Sequence, residues 1–194
     1  MTIGIGQITS KQYHKIMLYE ILITLLLSWV IANLVEWCVH KYVLHDMGRV
    51  KGSYWRAHWA RHHKFVRKNY LYLDKDYKDS WWANKHRVSE VVGLALLVVI
   101  NLPVVVGAYL LHLDIIAITY LIGVVLYVIA YYCIHKYSHL YPQWGYKYAR
   151  WHMWHHLGTN QDTNWNVVFP LWDHILGTHT KPDNSKYIDR LYGG

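Results

Sequence analysis

Three apolar stretches, a lopsided distribution of lysine and arginine, and four tight clusters of histidine predict an all-α integral-membrane fold. It has about three transmembrane helices and a cytoplasmic helical cap that carries the histidines. The composition agrees with this class. Eleven Trp and 18 Tyr against two Phe favour side chains with an apolar body and a polar tip, which suit a membrane–water interface. At 194 residues the chain is expected to be one domain, 1–194.

The first span is expected over about Ile16–Val35, with Glu20 and Asn33 near its two ends. It runs straight into the first histidine cluster with no small-residue cleavage site, so it reads as a span and not as a signal peptide. The second is expected over about Val91–Leu111, kinked at Pro103, and the third over about Ile115–Ile134. His112-Leu113-Asp114 leaves room only for a tight turn, so the last two spans form a hairpin. Leu71–Tyr77 and residues 157–170 are expected to be irregular. The latter holds Gly158, Asn160, Asn164, Asn166 and Pro170.

Charge decides the orientation. Twelve of the 20 Lys and Arg fall in residues 41–90, and the 44 residues Val91–Ile134 contain none. A uniformly basic nucleic-acid binder would not leave such a gap, so no nucleic-acid partner is expected. Residues 36–90 and 135–194 are separated by two crossings and therefore lie on one side. They hold all 18 basic residues outside the N-terminal tail, which places them in the cytoplasm, in reach of anionic lipid. Cys38 and Cys133 form no CxxC pair and are read as small buried residues, not as zinc or disulfide cysteines.

Ten of the 15 histidines fall in four boxes. They are His40 and His45 in HKYVLH; His58, His62 and His63 in HWARHH; His135 and His139 in HKYSH; and His152, His155 and His156 in HMWHH. Cys38-Val39-His40-Lys41-Tyr42 is repeated as Cys133-Ile134-His135-Lys136-Tyr137. Twelve residues separate His45 from His58, and twelve separate His139 from His152. Two similar half-sites around one centre are implied. On an α-helix, residues i and i+4 share a face, so His135 with His139, and His58 with His62, can each chelate one ion. His152 and His155 share a face at i+3. A His-His dipeptide can reach two ions. His40 and His45, five apart, need a distorted turn or serve one ion each.

Neutral imidazole binds Fe, Zn, Cu and Ni, and ten nitrogens exceed the needs of one ion, so a dinuclear site is expected. Glu36, one turn before His40, and Asp173, near the fourth box, are candidate partners for the outer nitrogens of the ligands. His14, His86 and His112 are isolated. His174 and His179 follow the fourth box and are assigned no ligand role.

With these boxes the chain resembles the fatty acid hydroxylase / sterol desaturase superfamily of membrane di-iron oxygenases. The pattern HxxxxH, HxxxHH, HxxxH, HxxHH carries the resemblance from His40 onward. The closing segment Phe169-Pro-Leu-Trp172-Asp173-His-Ile-Leu-Gly177-Thr178 extends it. The resemblance implies two iron ions held by the ten box histidines, with zinc as a substitute in a purified sample. It also implies O2-dependent attack on a C–H bond of a lipid, most simply a fatty-acyl chain, giving hydroxylation or desaturation. An external electron donor of ferredoxin or cytochrome type is implied as well, because Gly4-Ile-Gly6 makes no dinucleotide loop.

Two features depart from the family. Three spans are counted where members often have four, and the usual N-F/Y-G is Asn164-Trp165-Asn166, a change expected to reshape the substrate pocket. Carotenoid or sterol modification is the alternative within this chemistry. A metal transporter would set its ligands along the spans, and a zinc hydrolase would need an acidic residue inside a box, where none stands.

Overall fold

The computed structural model describes residues 9–69 and 85–182, with the backbone alone for 85–89. The described residues are helical, with no strand. Helix α1 (Ser10–Cys38) starts at a capping box, in which Thr9 Oγ1 accepts from the Gln12 amide and the Gln12 side chain accepts from the Thr9 amide. It continues without a break into a π-helical segment, Val39–Met47. A second π segment, His58–His63, leads into α2 (Lys64–Asn69). Then come α3 (Lys85–Leu110), α4 (Asp114–Leu140), α5 (Pro142–Tyr148), α6 (Arg150–Leu157) and α7 (Leu171–Ile175). The expected irregular stretch Leu71–Tyr77 lies outside the described residues. Residues 158–170 carry no helix, as expected.

Among the described residues, three helices are long and apolar enough to cross a membrane: Ser10–Met47, Glu90–Leu110 and Asp114–Leu140. The first and third run on past the apolar stretches that predict them into the first and third histidine boxes, whereas the second matches its expected length, shifted by one residue. Helix α3 is unbroken through Pro103, and the tight turn after it places His112 in the left-handed region at φ 58°. The spans turn large apolar side chains outward, among them Leu22, Leu26, Val106, Ile118 and Ile129. Such a surface is stable against lipid and not against water.

Helix α4 is central, packing against both α1 and α3. Gly123 permits the closest approach to α1, since a Cβ there would lie 1.9 Å from Ser28 Oγ. Polar groups between the spans find partners. Asn101 accepts from Tyr120 at 2.7 Å, and Asn33 donates to Tyr127 at 2.7 Å and to the Phe169 carbonyl at 3.0 Å. Cys133 corrects its expected burial. It is exposed on α4, while Cys38 is half-buried.

Past the spans the chain folds back over one end of the bundle. Pro142 starts α5, and Gly145 lets α5 lie against α4: a Cβ there would stand 2.9 Å from Ser138 Cα. This reversal carries α6, with the fourth box, over the end of α4, with the third.

Candidate metal centre

All ten box histidines converge at this end of the bundle. In each of two groups the ligand-capable nitrogens lie within 4.8 Å of one another: His40, His45, His58, His63 and His155 in one, and His62, His135, His139 and His156 in the other. His152 adjoins the second group, with Nε2 3.2 Å from His139 Nε2 and its ring 4.6 Å from that of His156. The two groups thus hold five and four histidines, with His152 beside the second and one histidine crossed each way. The first two boxes build one group and send His62 to the other. The last two boxes build the second and return His155.

Helix winding explains which histidine goes where. In the second half, His135–His139 and His152–His156 are four apart on α-helices and share a face. In the first half the corresponding pairs, His40–His45 and His58–His63, are five apart. Both sit on π-helical turns, whose i→i+5 repeat puts them on one face. Each first-half box has one residue more than its counterpart, and the wide turn absorbs it. Two expected pairings are corrected by this. His58 and His62 do not share an ion site, because the π turn aligns His58 with His63. His152 and His155 also separate, since His156 closes the α-helical pair. The distorted turn expected as one choice for His40 and His45 is present, and both enter one group.

The nitrogens have few partners of their own. Nε2 of His62, His135 and His156 are buried with no hydrogen-bond partner among the described residues. In the first group Nε2 atoms face one another at 3.0–3.3 Å: His45 with His63, His40 with His58, and His58 with His63. Buried, inward-facing imidazole nitrogens without donors are costly unless a cation fills the space between them. Their outer nitrogens are held in places. His40 Nδ1 bonds to the Trp165 carbonyl, and His155 Nδ1 to the Thr163 carbonyl at 2.7 Å. A carbonyl only accepts, so both Nδ1 atoms carry the proton and both Nε2 atoms keep a lone pair for metal. The Gln161 amide lies 2.8 Å from His63 Nδ1. Glu90 Oε1 lies 3.6 Å from His135 Nδ1, and Tyr131 stacks on the His135 ring.

Electrostatics favours the ligand form. Burial, reinforced by the neighbouring imidazoles, pushes His58, His62, His63, His152, His155 and His156 well below the ordinary histidine range, so they stay neutral at physiological pH.

Neither sequence-proposed carboxylate touches a box histidine. Asp173 is fully buried and accepts from the Trp165 and Asn166 amides, each at 2.8 Å, and from Thr178 Oγ1 at 2.7 Å. The peptide between Trp165 and Asn166 thus bonds Asp173 on one side and His40 on the other. Glu36 accepts from Tyr127, from Asn33 at 3.3 Å and from the Val167 amide. Both carboxylates clamp the irregular segment 163–168, whose carbonyls then hold the rings. Trp165 is buried and packs on His40, His45 and His155, while Asn166 donates to the Asn33 carbonyl at 2.8 Å.

A sequence model of the family described as fatty acid hydroxylase matches residues 25–178. The chain belongs to the fatty acid hydroxylase family. No curated protein and no solved structure matches it. Membership makes this a membrane oxidoreductase of the hydroxylase or desaturase type, with metal use implied by the family and by the two histidine groups.

A cavity of about 490 Å³ opens beside the centre. His40 and His58 of one group and His62 and His135 of the other line its inner end, so it faces both. Val39, Leu44, Phe65, Leu94 and Leu97 form apolar walls. Trp165 and Asn166 are not in this lining, so the departure from the family motif acts on the lid of the first histidine group instead of on this pocket. Among the described residues, Tyr131 is the one aromatic side chain in the lining besides Phe65 and the histidines.

Several residues that hold the site were missed from sequence. Gln161 and Thr163 act through amide and carbonyl groups, which leave no motif, and Trp165, noted from sequence only as a departure from the family motif, acts through its carbonyl and its ring. Their one signal was the polar, irregular run after the fourth box. Glu90 was detectable as the acid that ends the second apolar run. His14 and His112 are exposed and lie outside both groups; the side chain of His86 lies outside the described residues. His174 and His179 pair with each other, ring centroids 4.0 Å apart, and join neither group.

Proposed function

We propose that this family member is a mixed-function oxygenase that hydroxylates, or desaturates, an unactivated C–H bond of a lipid, most simply a fatty-acyl chain. It would use O2 and an external donor of ferredoxin or cytochrome type, with the whole chain acting as one domain and the boxes on the cytoplasmic side. The ten box histidines hold two iron ions, one per group. The observation that carries this reading is the apolar cavity whose inner end is lined by histidines of both groups, so that a carbon placed there meets both sites.

When bound, the two ferrous ions supply the electrons for O2 reduction and the oxidising power that removes hydrogen from carbon. The chain's own residues do the rest. His40 and His155, with their Nδ1 protons on carbonyls, aim lone pairs inward. Burial keeps the ligands outside the spans neutral. Tyr131 and Glu90 fix the His135 ring at the cavity wall. Val39, Leu94 and Leu97 exclude water and align an acyl chain against the centre.

The test is metal and oxygen stoichiometry of purified protein together with lipid profiling of a host expressing it. About two irons per chain, lipid-dependent oxygen uptake and a product lost in His152→Ala support the reading. Protein that never retains metal overturns it. Tightly held zinc without oxygen use assigns a zinc enzyme, and metal flux in vesicles assigns a transporter.

A further inference from the structure

The cavity has a polarity gradient along its length. Its inner end is histidine and its walls are aliphatic. Its rim on the second π segment and α2 carries Arg61, Lys64 and Lys68. Lys64 and Lys68 are four residues apart on α2, so they share one helical face. Val66, between them, is buried and lines the cavity below the rim. All three cations are exposed. Among the described residues, neither Lys64 nor Lys68 meets a carboxylate. Among the described residues the acids of the cavity are turned elsewhere: Glu36 to Tyr127 and the Val167 amide, Glu90 to His135.

We infer that this rim is a head-group site and that the lipid entering the cavity is a single-chain acyl lipid carrying a phosphate. The inference rests on the reading of the cavity as the substrate site. A neutral lipid would leave Lys64 and Lys68 with no anionic acceptor among the described residues, beside an apolar slot. A phosphate placed there is met by Lys64 and Lys68 through charge-assisted hydrogen bonds, while its chain lies between Leu44 and Leu94 and ends at the histidines. Gly93 keeps that path open. It lines the cavity, and a Cβ on it would meet only Leu44 Cδ2, at 3.9 Å. Side chains larger than alanine would project into the slot.

The experiment compares two lipids with the same tail, lauroyl lysophosphatidic acid and monolauroylglycerol. Binding of the radiolabelled lipids is measured on full-length, metal-loaded protein in a neutral detergent. Wild type is expected to prefer the phosphate lipid by about tenfold, a preference that falls with added salt. Lys64→Gln/Lys68→Gln is expected to bind both lipids equally. Gly93→Leu, with Leu94→Trp as a second plug, is expected to bind neither while retaining its metal.

Equal binding by wild type overturns the head-group site, as does a preference that survives the double lysine variant. Undiminished binding of the phosphate lipid by both plugged variants also overturns it, and assigns the lysines to the bulk membrane surface. Metal content and oxygen uptake with the neutral lipid read the oxygenase separately. Uptake without phosphate preference sinks the head-group site alone, whereas absence of metal sinks the function beneath it.

Discussion

The two halves of the centre reach the same arrangement by different windings. The second half places His135, His139, His152 and His156 with ordinary α-helix at four-residue spacing. The first places His40, His45, His58 and His63 with π-helix at five-residue spacing. In both, the histidine just before the last one crosses to the opposite group. The repeat is thus conserved in space although it is broken by one residue in each box. The wide turn keeps the faces aligned, so the twelve-residue links match across the halves.

The largest expected effect comes from the crossed ligands. His155→Ala should weaken metal at the group built by the first half, and His62→Ala at the group built by the second, each by about a hundredfold or more. Metal analysis with spectroscopy of the two sites checks this. Depletion of the same site by both variants would break the comparison.

Next come the two carboxylates that clamp residues 163–168. Asp173→Ala removes the acceptor of two buried amides and a hydroxyl, and should cost about 3–5 kcal/mol. It should also loosen metal at the first group by about tenfold, because one peptide separates it from His40. Glu36→Gln should cost about 1–3 kcal/mol, read by thermal melting. Metal affinity should change by less than about threefold, since no histidine is in contact with Glu36. A larger metal loss in Glu36→Gln than in Asp173→Ala would reverse this ranking.

Acid should act on the metal-free protein. The six box histidines outside the spans have folded pKa values below their unfolded value of about 6.5, so the unfolded state binds more protons as pH falls. Their contribution to stability is present above about pH 6.5 and is lost progressively below it. Melting temperature should drop on acidification, and bound metal should flatten the curve. A melting temperature independent of pH in this window would contradict the burial of these rings.

The smallest expected effect sharpens the winding argument. Deleting Val43 gives the first box the four-residue spacing of the third. If the π turn absorbs one inserted residue, the shortened box reverts to α-helix and both groups keep their metal. Loss of metal from the first group would show that the π turn does more than accommodate length.

The sequence by itself determined the class of fold, the three spans, the ten histidines and their division into two matching halves. These follow from hydropathy, charge placement and spacing, which are local and periodic. It left open whether box one was distorted or shared between ions, and it mispaired His58 with His62. Helix winding had to be assumed from the sequence, and one residue of extra spacing changes which side chains share a face. Only the tertiary structure decided the crossed partition of the histidines and the cavity that meets both groups. It alone showed that Asp173 reaches His40 through a peptide instead of directly. Those relations depend on where α5 folds α6 back over α4 and on backbone carbonyls of an irregular segment, and carbonyls are the same in every residue.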